Sequence, residues 1–164
     1  MKKLFTLIAL TISFSMNAQI STTFTDPSGV HSSAIGYETT ASGQYSTAMG
    51  RKTTANGFWS TAMGNDTEAI GDGSSSMGYK TTASGDYSIA MGESTTASGL
   101  RSSAMGYFTT ATDYASLVIG QYNSSGSSAT SANSFSTSAP AFIIGNGTIG
   151  SLSDAFKVMF NGDT

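Results

Sequence analysis

Apolar, small and polar side chains recur along the chain with a strict period of fourteen residues. One block of each period reads Ser-Thr-Ala-Met-Gly, as at residues 46–50. A second block, offset by seven, reads Thr-Thr-Ala-Ser-Gly, as at residues 39–43. The register covers residues 25–120 without an insertion. A repeat of this regularity predicts a solenoid in which each coil stacks on the one before it.

The glycines that end both blocks favour strands and turns over helices. A glycine every seven residues would interrupt every second helical turn, whereas a five-residue block has the length of a β-strand. Each glycine and the two residues after it are expected to form a turn. The predicted fold class is all-β, a parallel β-roll solenoid of 14-residue coils. The predicted turn glycines are Gly36, Gly43, Gly50, Gly57, Gly64, Gly71, Gly78, Gly85, Gly92, Gly99, Gly106 and Gly120.

Alternation of side chains along each strand assigns the faces of a coil. Both blocks carry Ala at the same place, so the Ala columns are expected to face each other in a narrow interior. The predicted interior residues are Ala34, Ala41, Ala48, Ala55, Ala62, Ala69, Ala83, Ala90, Ala97, Ala104 and Ala111. The face that carries Thr40 and Ser42 is then expected to meet water.

A column of large apolar residues is left outside the roll, and we call it the ladder. Its rungs are Ile35, Met49, Met63, Met77, Met91, Met105 and Ile119. Burying one Met or Ile contributes roughly 1.5–3 kcal/mol of stability. A single roll would leave these side chains exposed and would lose that contribution. We therefore expect identical chains to associate around an axis, with the ladder facing inward. A dimer and a trimer would both bury the ladder.

Composition narrows the function classes. Charged residues make up 10% of the 164 residues, there is no Cys, and there is one His. These counts exclude a disulfide scaffold and a cysteine nucleophile, and they count against a His-based metal site or catalytic triad. The net charge of −3 counts against nucleic acid as a partner, because such binding needs a basic face. We therefore expect no enzyme activity and no cofactor.

Residues 1–18 have the organisation of a secretory signal peptide. Lys2 and Lys3 precede an apolar stretch that ends at Met16, and Ala18 is a small residue suited to the position before a cleavage site. The apolar stretch is shorter than the roughly 20 residues that span a bilayer as a helix. Cleavage after Ala18 and export of an acidic mature chain are expected.

The blocks at residues 33–36 and 46–50, with their echoes, resemble the head repeats of trimeric autotransporter adhesins, the YadA-like head. The resemblance covers residues 25–120 and places a head domain at residues 19–123. It implies a left-handed parallel β-roll and a homotrimer around a common axis. It also implies display on the bacterial cell surface or outer membrane, or secretion. The implied function is cell adhesion as part of a surface fibre, with extracellular matrix, host or other cell-surface ligands as partners.

The chain beyond the repeat differs in composition. Residues 124–140 are rich in Ser and are expected to form a linker. Strands are predicted at residues 141–145 and 154–160, each followed by an Asn-Gly turn. We expect residues 141–164 to form a short β hairpin-like segment that begins a connector, since the chain stops just after a turn signal.

The remaining candidate residues fit turns and packing better than a catalytic site. His31, Asp72, Asp86 and Asp113 fall at turn positions, where turn chemistry explains them better than catalysis or calcium binding. Aromatic residues share two variable positions of the repeat, and we expect them to pack across coils or between chains rather than to contact a ligand. They are Tyr45, Trp59 and Tyr87 at one position and Tyr37, Tyr79 and Tyr107 at the other.

An ice-binding solenoid is the alternative to an adhesive head. Pairs of the type Thr-x-Ser/Thr, such as Thr40 and Ser42, recur on the outward side of one block. Only Thr110 and Thr112 pair two threonines, however, and residues 68–70 interrupt the array with Glu and Ile. A thermal-hysteresis assay separates the two classes.

Overall fold

A computed structural model describes residues 25–124, 126 and 129–164 of the chain. The predicted signal peptide at residues 1–18 lies outside the described residues. The strands are β1 (Ser33–Tyr37), β2 (Thr40–Ala41), β3 (Thr47–Arg51), β4 (Thr54–Ala55), β5 (Thr61–Asn65), β6 (Glu68–Ala69), β7 (Ser75–Tyr79), β8 (Thr82–Ala83), β9 (Ile89–Glu93), β10 (Thr96–Ala97), β11 (Ser103–Tyr107), β12 (Thr110–Ala111), β13 (Leu117–Gln121), β14 (Pro140–Asn146) and β15 (Asp154–Met159). No stretch of the described residues forms a helix long and apolar enough to cross a membrane.

The strands form two sheets that are the two sides of one roll. The nine-stranded sheet has the order β1-β3-β5-β7-β9-β11-β13-β14-β15, and the six-stranded sheet has the order β12-β10-β8-β6-β4-β2. Within the repeat, neighbouring strands are parallel, and each residue pairs with the residue fourteen positions on, as Ala48 does with Ala62. The predicted parallel β-solenoid is confirmed. The C-terminal strands β14 and β15 form an antiparallel pair.

The strand boundaries differ from the predicted blocks. The Thr-Thr-Ala-Ser-Gly blocks contribute only two residues to each strand of the six-stranded sheet. In the other sheet the strands run one residue past the glycine, so seven predicted turn glycines lie inside strands. These are Gly36, Gly50, Gly64, Gly78, Gly92, Gly106 and Gly120. Their φ values of +97° to +131° bend the backbone while each glycine keeps its register partner in the next coil.

The chain turns at residues in the left-handed region, which recur every seven positions from His31 to Tyr122. Except for Ala115, each is the second residue after a repeat glycine and so lies within a predicted turn. Thirteen of these positions hold a residue other than Gly, with φ between 44° and 60°. That conformation costs such a residue about 1–2 kcal/mol. Hydrogen bonds between coils compensate for it; the N–H of Lys52, for example, donates to the carbonyl of Tyr37 at 2.8 Å.

Small side chains fill the interior of the repeat. The residues of the two Ala columns are 0% to 9% exposed, and the Thr and Ser residues that begin the blocks are buried beside them. Ser76 replaces Ala in its column, and its hydroxyl lies 2.7 Å from that of Thr81. Nine other interior hydroxyls have no hydrogen-bond partner. They belong to Thr39, Ser46, Thr53, Ser60, Thr67, Ser74, Ser88, Thr95 and Thr109.

Replacing Thr95 by Val is expected to stabilise the roll by about 1 kcal/mol, because it removes a buried hydroxyl that has no partner and nearly keeps the volume. Thr81→Val is the matched control, since Ser76 would lose the hydroxyl it contacts. That variant should gain nothing. Denaturant unfolding at equal protein concentration measures both, and equal gains for the two variants would contradict this account of the interior.

The end of the nine-stranded sheet is built by the segment that follows the repeat. β14 pairs in parallel with β13, which places Ile143 beside Val118. Both side chains are fully buried, so the interior widens from Ala to Val to Ile toward this end. The segment expected to begin a connector starts with a strand of the roll's own sheet, because its apolar pattern continues that of β13.

Candidate functional site

The ladder lies on the outward surface of the nine-stranded sheet in one unbroken column. Each rung is the register partner of the next, as Met49 is of Met63 and Met63 is of Met77. The rungs alternate with buried Ala along each strand, so their side chains point away from the interior. Met49 is 40% exposed, and the other rungs are half-buried. In a single chain every rung is in contact with solvent.

The structure adds a rung that the repeat alone did not predict. Ile144 of β14 is the register partner of Ile119 and is likewise half-buried. The sequence does contain a signal for this additional rung, since residues 142–145 read Phe-Ile-Ile-Gly and residues 117–120 read Leu-Val-Ile-Gly. An insertion between these stretches breaks the fourteen-residue period, and residues 141–145 were predicted only as a strand.

The outward surface of the six-stranded sheet is narrow and polar. Thr40 and its Thr register partners are half-buried, whereas Glu68 and the nearby Ile70 are exposed. The single pair of threonines is partly covered. Thr112 is only 9% exposed, and its hydroxyl donates to the carbonyl of Gly126 at 2.7 Å. This surface therefore lacks a continuous array of paired threonines.

One edge of the roll, at the turns that follow the Thr-Thr-Ala-Ser-Gly blocks, carries exposed aromatic rings. Tyr45 stacks on His31 with ring centroids 5.3 Å apart. The guanidinium of Arg101 lies 6.0 Å from the centroid of Tyr87. Trp59 is 59% exposed. Tyr45 and Tyr87 make contacts across coils, and all three rings still present open surface.

The opposite edge, beside the ladder, carries the second aromatic set. Near the end of the repeat, Phe108 stacks on Tyr122 with centroids 4.9 Å apart, and Tyr107 meets Tyr122 edge-on at 5.3 Å. Burial raises the pKa of Tyr122, and a hydrogen bond with Tyr107 raises it further. A hydrogen bond with Glu38 raises the pKa of the Tyr37 phenol. Both phenols therefore stay neutral to a higher pH than a free tyrosine does.

The acidic turn residues bind backbone groups of neighbouring segments. The carboxylate of Asp72 accepts a hydrogen bond from the N–H of Phe58 at 2.9 Å, and that of Asp86 accepts one from the N–H of Asp72 at 3.0 Å. Asp113 is fully buried and accepts two bonds of 2.6 Å from backbone N–H groups of the Ser-rich segment. Across the described part of the chain, no three His, Asp or Glu side chains cluster closely enough to hold a metal ion.

The segment predicted as a Ser-rich linker packs on the last coil of the repeat. Asn123 lies directly before this segment. The side-chain oxygen of Asn123 accepts from the N–H of Thr110 at 2.8 Å, and its nitrogen donates to the carbonyl of Thr110 at 2.9 Å. The amide thus occupies the place that the backbone of a further coil would take. Capping of this kind shields the terminal strand from pairing with other chains.

Asn123→Ala is expected to lower the stability of the roll by about 1–3 kcal/mol, because the N–H and carbonyl of Thr110 both lose their partner. Asn123→Asp keeps an acceptor for the N–H and should lose less. Thermal unfolding of the two variants gives the comparison. An alanine variant that unfolds at the temperature of the parent chain would show that the amide is not a cap.

Comparison with known families agrees with this geometry. The YadA head domain repeat matches residues 28–53, 69–95 and 97–123, all within the coils of the roll. The chain carries a YadA-like head domain. No curated protein matches the chain. The match points to a structural module like the heads of trimeric autotransporter adhesins, and the YadA-like head is the part of the molecule that presents the ladder.

Proposed function

We propose that this chain is a non-enzymatic, homotrimeric adhesive head, exported to the bacterial surface or secreted. The observation that carries the proposal is the ladder, eight rungs from Ile35 to Ile144, open along one face of the YadA-like head. A continuous apolar stripe on an exported protein is a site of association. The family match supports three chains as the number.

Burial of the ladder would provide most of the large apolar contacts of the head. The interior of the repeat holds Ala, Ser and Thr, so a single roll buries few large side chains. Each buried Met or Ile contributes roughly 1.5–3 kcal/mol, so closing three ladders around one axis strongly favours association. Light scattering of the chain from Gln19 onward is expected to give three times the mass of one chain. A folded monomer would contradict the proposal.

Adhesion would follow from presenting the same surface three times. The trimer leaves the polar face of each six-stranded sheet and the edge with Tyr45 and Trp59 available to ligands. Linked copies can bind 10²–10⁴-fold more tightly than one copy. Labelled trimer is expected to be retained on host cells or on immobilised extracellular-matrix proteins. A monomeric variant should bind at least about tenfold more weakly. Equal retention of both forms would contradict adhesion through multivalent contact.

Export would begin with removal of residues 1–18. Lys2, Lys3, the apolar stretch and Ala18 support a mature N-terminus at Gln19. Intact mass of protein recovered outside the cytoplasm of a bacterial host should correspond to residues 19–164. Recovery of a chain that retains residues 1–18 would refute this processing.

Ice binding is not favoured by the outward surface of the six-stranded sheet. Glu68 and Ile70 interrupt the array, and Thr112 is covered at its end. We expect no thermal hysteresis from the purified head, and a clear hysteresis gap would revive the ice-binding alternative.

A further inference from the structure

Two further columns of side chains lie on the outward surface of the nine-stranded sheet, one on each side of the ladder. The leading column stands two residues before each rung, and the trailing column stands two residues after it. The leading column is Ser33, Thr47, Thr61, Ser75, Ile89, Ser103, Leu117 and Phe142. The trailing column is Tyr37, Arg51, Asn65, Tyr79, Glu93, Tyr107, Gln121 and Asn146.

The two columns are matched in size and polarity from strand to strand. Each Tyr of the trailing column stands on a strand whose leading residue is Ser, as the sequence shows for Ser33 with Tyr37, Ser75 with Tyr79, and Ser103 with Tyr107. Where the leading residue is large and apolar, the trailing residue is Glu or an amide. Those strands pair Ile89 with Glu93, Leu117 with Gln121, and Phe142 with Asn146.

Contact within one chain does not account for this match. Two residues four positions apart on one strand are about 13 Å apart, and a rung of the ladder stands between them. The three tyrosines are 41%, 42% and 40% exposed in the single chain, so their rings have open surface. A rotation about an axis parallel to the stack of coils keeps every coil at its own height. It brings the leading column of one chain against the trailing column of the next.

We propose that the trailing column of each chain packs, in register, on the leading column of a second copy of the chain. This inference rests on the proposed trimer and adds the contacts that fix its register and direction. Each Tyr covers the Ser at its own height on the neighbour, where the small side chain leaves room for the ring. Each large apolar leading residue lies under the aliphatic part of a Glu, Gln or Asn, whose polar end stays at the rim.

Cross-linking tests this pairing, because the chain has no Cys of its own. The double variant Thr61→Cys/Asn65→Cys places two thiols at one height, one in each column. A bismaleimide shorter than the distance of about 13 Å between the two positions on one strand links them only between chains. Controls are the two single variants and the offset pair Thr61→Cys/Glu93→Cys, whose thiols lie two coils apart.

The expected result is a covalent trimer from the in-register pair and monomers from every control on a denaturing gel. Light scattering before cross-linking reports the assembly independently. A trimer whose in-register pair does not link overturns the pairing and leaves the trimer standing. Dimers from the single variant Thr61→Cys also overturn it, because they require like columns to meet, as in an antiparallel pair. Monomers by light scattering overturn the proposed trimer and this pairing together.

Discussion

Replacing Met63, Met77 and Met91 together by Asp is expected to dissociate the head into single chains. The three rungs are successive in the middle of the ladder, so three carboxylates from each chain would meet around the axis of the proposed trimer. Burying an ionised carboxylate without a partner costs several kcal/mol, far more than the apolar contact it replaces. The Ala columns are untouched by the change. Light scattering measures the mass, and circular dichroism tells whether the single roll stays folded.

The matched control is Thr54→Asp, Thr82→Asp and Thr96→Asp in one chain. These residues lie on the outward surface of the six-stranded sheet, where Glu68 already occupies the equivalent position of another coil. The control adds the same charge to a surface expected to remain wet, so the trimer should persist. Dissociation of the Thr set with retention of the trimer in the Met set would invert the assignment of faces. Two intact trimers would mean that the ladder is not the interface.

The solenoid architecture could be predicted from the sequence because a single repeat period determines the length and register of every coil. Fourteen residues without an insertion fix both the coil and the register, and Ala48 accordingly pairs with Ala62. Strict alternation along the strand then separates the buried Ala from the neighbouring Met. These two regularities need no knowledge of distant contacts, since each coil touches mainly the coils above and below it.

The turns lie within the predicted residues after the glycines, but their left-handed conformation could not be predicted in the same way. The left-handed positions carry residues as different as Lys52, Trp59 and Asp66, and glycine occupies only position 73 among them. Local preference would place glycine at these left-handed turn positions, whereas the repeat glycines that have positive φ lie inside strands. Hydrogen bonds between coils instead determine which residues adopt the left-handed conformation. An example is the bond of 2.9 Å from the N–H of Asp66 to the carbonyl of Arg51. A tertiary interaction thus overrides the local preference at every left-handed turn position other than Gly73.

The C-terminal end of the roll was not predicted from the sequence, for a reason different from the one that applies to the turns. Asn123 caps the six-stranded sheet with a single side chain, and no pattern in the sequence distinguishes it from the neighbouring polar residues. Ile144 continues the ladder after an insertion that moves it out of the period. An aligned comparison of residues 117–120 with residues 142–145 would have found the additional rung. The candidate interface was therefore predictable through seven rungs and missed at the eighth.

A single methyl group at Gly78 is expected to damage the roll more than most substitutions of its interior. Gly78 has φ +127°, and a Cβ at this position would collide with the carbonyl oxygen of Gly92 in the next coil. The obstacle is backbone, held by parallel pairing at a strand spacing of about 4.8 Å. Relief would require the two coils to separate. We expect Gly78→Ala to lower the free energy of unfolding by about 3 kcal/mol or more, measured by unfolding at fixed protein concentration.

Gly73→Ala provides the matched control, because it adds the same methyl group at a site that can accept it. Gly73 has φ +64°, and the added Cβ would lie 2.8 Å from a ring carbon of Tyr87, a side chain that can rotate away. Trp59 already occupies the equivalent turn position one coil earlier, with φ 54°. The expected loss is about 1 kcal/mol. If the two variants unfold alike, close packing of the glycine column is not what sets the spacing of the coils.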